Sequence, residues 1–187
     1  MRPTAGVTRY LGIDPGLAST GWGVRDRSGR VVACGTIKTG PGPDGPRLLR
    51  ISAELERLLG VHRVAEAALE ELFMGANRTS VIGVAQARGV ALLALERAGV
   101  PVFEYKPASV KANLTGYGSA GKAQMARMLA LQGLRERVDE HAADAIAIAI
   151  CHSRSRRMRL AAAATARSRP GAHAENPGPA AGDTVHR

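Results

Sequence analysis

The sequence predicts an α/β domain built on a five-stranded mixed sheet with helices on both faces. Three observations lead there. An N-terminal stretch holds three strand patterns joined by very short turns, two later strand patterns each follow a helical one, and the rest carries apolar residues at helical spacing. With 187 residues, 45 % of them apolar, the chain can bury a proper core; with 3 % aromatics, that core must be made mainly of Ala, Val, Leu and Ile.

The elements follow in order. TRYLGID (8–14) is an apolar run stopped by Pro15-Gly16. GWGVRDR (21–27) alternates faces, SGR is a short turn, and VVACGTIK (31–38) is the third strand. Turns this short make the three strands antiparallel neighbours. TGPGPDGP (39–46) is a linker, after which Leu48, Leu49, Ile51, Leu55, Leu58 and Leu59 predict a helix. A fourth strand within HRVAEAALEEL ends near Glu70, and a long helix follows from about Asn77 to Ala98, capped by Asn77 or Thr79. PVFEY (101–105) is a short fifth strand, 110–114 belongs to a short helix, and GYGSAG is a loop. Two further helices are expected, at about 122–131 and from Glu140 to about Ser153. Residues 1–157 are thus read as one domain. Residues 158–187, rich in Ala, Pro and Gly with little to bury, are read as a disordered basic tail.

The formal charge is +10, which points to a polyanionic partner, nucleic acid before membrane surface. Half of that excess lies from His152 onwards, where seven Arg face two acids, so the domain itself is moderately basic. Cys34 and Cys151 form no CxxC pair, which argues against a zinc site or a disulfide framework. No apolar run approaches the ~20 residues of a membrane span, and MRPTAGVTRY carries no signal-peptide stretch. A cytoplasmic location with reduced thiols and no membrane partner is expected.

Asp14 ends the first strand, and Tyr10, Gly12 and Asp14 share one of its faces. A carboxylate there is costly without water, metal or a partner, yet a turn Asp bonding its own backbone fits the position too. Asp14 alone leaves both readings open. Glu70 ends the fourth strand in a similar place, with Glu71 on the opposite face, so the choice between them rests on register. His141 and Asp144 stand three apart on one face of an Ala-rich helix, and Asp139 just upstream reads as an N-cap. Asp14, Glu70, His141 and Asp144 together offer hard oxygen donors and one imidazole, a set suited to Mg²⁺ or Mn²⁺. Two such ions ~3.5–4 Å apart can activate water and stabilise a leaving oxygen in phosphodiester hydrolysis.

LGIDPGLASTGWGV, ALEELFMGAN, QARGV, VPVFEYKPASVK, LTGYGSAGK and HAADAIAIAI occur in that order between Arg9 and His152. This combination resembles the motifs of RuvC-type Holliday junction resolvases. The resemblance implies an RNase H-like fold, a homodimer, a branch-migration complex as partner, and paired symmetrical nicks in four-way junction DNA that leave 5′-phosphates. It places the catalytic, metal-binding quartet on Asp14, Glu70, His141 and Asp144, with two divalent ions per site. His141 is a variant within the pattern, where other members carry Asp, and it must be neutral to ligate a metal. The resemblance also assigns DNA contacts to Lys111 and Lys122 at phosphates, to Phe73 at junction bases and to Arg78 at the strand-exchange point. It favours a two-fold interface along the long helix, whose Gly83 and Gly89 would allow close approach of a second helix.

Three rival readings fit parts of the sequence. GIDPGLASTG also suits the first phosphate loop of a sugar-kinase or actin-like ATPase, but those need two lobes and a second Gly-rich loop, for which the chain is too short. A smaller RNase H-like nuclease acting on ribosomal RNA precursors is disfavoured by FMGAN, QARGV and GYGSAGK. A dimeric junction-binding protein without catalysis is disfavoured by the intact quartet.

Overall fold

Short turns force the first three strands into antiparallel hairpins, and the rest of the sheet is added by crossovers. The computed structural model describes residues 8–72, 78–134 and 138–167. Strands β1 (Arg9–Asp14), β2 (Ser19–Asp26) and β3 (Val31–Lys38) form the hairpins, followed by helix α1 (Asp44–His62), β4 (Glu66–Glu70), α2 (Arg78–Arg97) and β5 (Val102–Tyr105). Helices α3 (Pro107–Thr115), α4 (Lys122–Leu131) and α5 (Glu140–Arg167) complete the chain. The strand order is β3-β2-β1-β4-β5, with β4 and β5 parallel to their inner neighbours. The β2–β3 turn is set by Asp26, whose carboxylate accepts from Ser28 and from the Gly29 and Arg30 amides, while Gly29 takes φ +106°.

Each sheet face has its own core. Leu11, Ile13, Val24 and Leu69 point towards α1 and α2, where they meet Ile51, Leu55, Ala91 and Leu95. The opposite face carries Ala68 and Tyr105 and is covered by α3, α4 and α5 through Val110, Leu114, Leu129, Ile146 and Ile150.

Helix α5 lies lengthwise over β1. Asp14 meets His141, Gly12 meets the backbone of Ala145 and Ala149, and Tyr10 meets His152. Eleven residues of helix span about 16 Å and the matching four of strand about 13 Å, so the two run together along the face. The approach is close because Gly12 pairs with Gly23 across β1 and β2, and Asp14 with Gly21. A Cβ at Gly12 would collide with the Ala145 carbonyl and stand 2.7 Å from the Ala149 nitrogen; one at Gly21 would strike the His141 carbonyl. The alternation that puts Leu11 and Val24 into one core therefore puts a glycine floor beneath α5.

Three expectations need correction. Leu49 is 72 % exposed, because the apolar stripe of α1 is carried by Ile51, Leu55, Leu58 and Leu59 instead. Thr79 is not a cap, since α2 already begins at Arg78; Asn77 lies outside the described residues. Helix α5 does not end near Ser153 but continues to Arg167, so residues 158–167 are helical. The Ala-rich segment after Leu160 keeps high helix propensity although it has little to bury. Residues 168–187 lie outside the described residues.

Replacing Gly12 with Ala is expected to lower stability by about 1–3 kcal/mol, the usual cost of overpacking. Denaturant unfolding measures it, and an unchanged midpoint would mean that α5 is not seated on this glycine pair.

Candidate active site

The parallel pairing of β1 with β4, in which Ile13 stands beside Leu69, brings the carboxyl ends of two strands together and with them Asp14 and Glu70. Glu70 follows Ala68 by two residues and so shares its face, the face beneath α5. Pro15-Gly16 stops β1 at Asp14, and the turn is closed by the buried Thr20, whose hydroxyl donates to the Gly16 carbonyl at 2.8 Å. Arg88 of α2 holds the end of β4: it donates to the Glu70 carbonyl at 2.8 Å and pairs with Glu104 at 2.6 Å.

The start of α5 is anchored from β3. Asp139 accepts from the Ala142 amide at 3.0 Å as a helix cap and is itself held by Thr36 and Lys38. The first turns of α5 then present His141 and Asp144 to the strand ends. His141 Nδ1 lies 2.8 Å from Asp14 Oδ2, which leaves Nε2 as the ring nitrogen without that partner.

The electrostatics show how crowded the acids are. Burial raises the Asp14 carboxyl above its ordinary range, and Glu140 adds to this, while the His141 hydrogen bond and charge pull the other way. Glu70 is raised by burial and then by Asp14 and Asp144, with Lys111 opposing. Asp144 is pushed up to about 6, by burial first and then by Asp14 and Glu140, against the pull of His141 and Lys122. Three half-buried carboxylates, of which Asp14 raises both Glu70 and Asp144, are relieved by a cation among them. Their hard oxygens and the His141 imidazole suit a divalent ion by donor chemistry. Among the described residues, no three such side chains already close into a coordination group. The cluster is open, and Asp14 and Glu70 also border a cleft of about 270 Å³ with Leu72, Val84 and Pro107.

The other expected contacts are distributed around this centre. Lys111, on α3, acts on Glu70 through its charge. Lys122 opens α4 and pairs with Glu140, the residue before His141. Arg78 is the first residue of α2, and Phe73 lies outside the described residues. Sequence reasoning did not single out two supports: Arg88, within the QARGV segment, and Glu66. Glu66 was within reach of the alternation that picked Glu70, because Glu66, Ala68 and Glu70 share a face. At the far end of the α5–sheet contact, the fully buried His152 bonds Tyr105 Oη through Nδ1 and Glu66 through Nε2, both at 2.9 Å, and Arg156 closes on Glu66 at 2.7 Å.

The family model for the crossover junction endodeoxyribonuclease RuvC matches residues 10–152. The chain belongs to this family. It is 50 % identical over 146 residues to the crossover junction endodeoxyribonuclease RuvC of Chloroflexus aggregans, covering 74 % of this chain and 88 % of that one. The Roseiflexus relative of the same name is 47 % identical over 149 residues, covering 75 % and 88 %. Among solved structures, Thermus thermophilus RuvC in complex with a Holliday junction substrate superposes with a TM-score of 0.75 at 35 % identity, over 81 % of this chain and 96 % of that one. The yeast mitochondrial Holliday junction resolvase shares the fold at a TM-score of 0.64 and 14 % identity, over 89 % of this chain and 86 % of that one. The architecture is RNase H-like.

The raised Asp144 carboxyl has a consequence for stability. Its folded-state pKa of about 6 exceeds the ordinary 3.8, so between those values the folded protein binds the proton more tightly than the unfolded chain. Its stabilising contribution is present at low pH and is lost as pH rises towards 6. In metal-free protein, Asp144→Asn is therefore expected to raise the melting midpoint above wild type at pH 7.5, with the difference shrinking towards pH 4. A difference that does not depend on pH contradicts this.

Proposed function

We propose that the chain is a structure-selective endonuclease that resolves four-way DNA junctions by paired symmetrical nicks, leaving 5′-phosphates, in homologous recombination and repair. The observation that carries this reading is the meeting of Asp14, Glu70, His141 and Asp144 at one end of the sheet in a chain of this family. Dependence on a divalent metal goes with the family; we assign Mg²⁺ or Mn²⁺, two per site, held by these four residues. Bound there, the ions would supply Lewis acidity at the scissile phosphate and lower the pKa of an attacking water.

The chain's own residues have distinct parts. Asp14 stands at the centre, touching His141 directly and acting through its charge on Glu70 and Asp144. His141 orients the Asp14 carboxylate through Nδ1 and has Nε2 to offer as a ligand when neutral. Lys111 and Lys122 add positive charge beside the acids and would meet the phosphates on either side of the cut. Phe73 and Arg78 are assigned to junction bases and the strand-exchange point, on the family resemblance. We assign residues 1–157 to the nuclease domain, with the helical continuation of α5 to Arg167 beyond it.

We assign a homodimer to the outward face of α2. Ile82, Ala85, Gly89 and Leu93 follow helical spacing on that face; Ile82 is 61 % and Leu93 50 % exposed, and a side chain at Gly89 would meet nothing within 4 Å. A two-fold axis there would direct two acid clusters at two strands of one junction. A branch-migration complex and a cytoplasmic location complete the assignment, the latter suiting a DNA substrate. Among the described residues no helix is long and apolar enough to cross a membrane.

End-labelled four-way junction incubated with Mg²⁺ or Mn²⁺ tests the catalytic reading. Asp14→Asn is expected to keep junction binding and to lose at least about a hundredfold in cleavage, since changing even a residue behind a metal ligand costs 10–100-fold. Chelation should abolish cleavage by wild type. Equal nicking by both proteins, or none with any divalent ion, counts against the assignment. Leu93→Glu is expected to turn the dimer into monomer in sedimentation while the far-ultraviolet circular dichroism stays unchanged; a persistent dimer would move the interface elsewhere.

A further inference from the structure

Beyond the opposite end of the α5–sheet contact from Asp14, about 20 Å along the helix from His141, lies a second and more enclosed cavity. Its volume is about 360 Å³, and its lining includes five arginines: Arg25 and Arg27 from β2 and the following turn, and Arg154, Arg156 and Arg157 from α5. No carboxylate lines it among the described residues. Two of the five are committed elsewhere, Arg156 to Glu66 and Arg154 to the Asn113 carbonyl. Arg27 and Arg157 are exposed and make no ion pair or side-chain hydrogen bond among the described residues, so their donors are available to a ligand.

Arg25 is the unusual member. It is only 8 % exposed, and among the described residues it forms no ion pair with a carboxylate. Its Nε donates to the Gly29 carbonyl and one terminal nitrogen to Ser153 Oγ, which leaves three N–H groups of the guanidinium without a partner among the described residues. The neighbouring Asp26 carboxylate is occupied by Ser28 and by the Gly29 and Arg30 amides. Burial, followed by the charges of Arg154 and Arg157, pushes Arg25 below its ordinary range, with the Asp26 charge opposing them only in part. Burying one cation and setting two more beside it is costly unless an anion shares the space. Forked, planar guanidinium donors match the oxygens of a phosphate better than any other common anion except a carboxylate.

We propose that this cavity is a phosphate-binding site, formed by Arg25, Arg27 and Arg157 and distinct from the acid cluster. The same chemistry has two sources, a backbone phosphodiester of DNA lying along α5 or a free inorganic phosphate or pyrophosphate. Because it lies on the α5 face, beyond the acids, the site would hold a junction arm away from the cut. That use rests on the junction-cleaving reading; phosphate binding itself does not.

The test uses the full chain and the exposed pair, as the double variant Arg27→Gln/Arg157→Gln, so that Arg25 and the core are untouched. A second double variant, Arg50→Gln/Arg57→Gln, removes the same charge from α1. The first arm measures the melting midpoint with pyrophosphate against chloride at matched ionic strength. The second measures binding of four-way junction against salt concentration, with no divalent metal present, so that a failure of cleavage does not affect it. For a free-anion site, pyrophosphate raises the midpoint of wild type and of the α1 control by several degrees but not that of the cavity variant. For a DNA phosphate site, the cavity variant binds junction about tenfold more weakly and its salt slope falls by about 1–2, close to 0.9 for each phosphate no longer neutralised, while the control keeps the wild-type slope. Either result supports the site and names its source. If pyrophosphate acts equally on all three proteins or on none, and both double variants change the salt slope alike or not at all, the cavity is not a phosphate site.

Discussion

Everything at the candidate site depends on how closely α5 sits on the strands beneath it. The contact is backbone against backbone: Gly12 and Gly23 stand side by side under the Ala145–Ala149 turn, and Gly21 under His141. A sheet and helix separated by ordinary side chains pack about 10 Å apart, too far for a short Asp on β1 to reach a His on the helix. With glycine on one surface and alanine on the other, Asp14 and His141 meet at 2.8 Å. The small residues set the distance at which the polar residues work.

That closeness carries an electrostatic cost which the fold spreads over both ends of the α5–sheet contact. At one end, Asp14, Glu70 and Asp144 are all raised by burial, and Glu70 and Asp144 further by the charge of Asp14, with His141, Lys111 and Lys122 as the opposing charges. At the other, the buried His152 is satisfied by Tyr105 and Glu66, and Phe103 packs over its ring at 4.8 Å. The far end is thereby a closed polar network, whereas the near end is left open. A helix latched at His152 and capped at Asp139 can hold an unsatisfied acid cluster between, because its position does not depend on those acids. The arginine cavity beyond His152 is the same kind of unresolved charge with the opposite sign.

Alternation along three strands makes the fold readable from the sequence. Leu11 and Ile13 against Tyr10, Gly12 and Asp14 announce two faces, and short turns settle which strands are neighbours. The site is partly readable for the same reason, since Asp14 and Glu70 are the last residues of strands whose faces the pattern defines. Arg88 is not, because a long-range bond to a backbone carbonyl leaves no periodic trace. The continuation of α5 is hidden because low hydrophobicity argues for a solvated tail, whereas alanine-rich sequence holds a helix through propensity alone.

Local chemistry thus determined the elements, their order, the antiparallel hairpins and the residue types able to hold a divalent ion, because periodicity and turn geometry act over a few neighbouring residues. The tertiary structure decided which of those residues share one space. Asp14 and His141 are 127 positions apart, and their contact follows from the seating of α5 on a glycine floor, as the meeting of Asp14 with Glu70 follows from the parallel register of β1 with β4. The Arg25 cavity was decided the same way: a strand end and a helix bring together cations that the sequence keeps more than a hundred residues apart. Long-range packing sets such distances, and no local pattern encodes them.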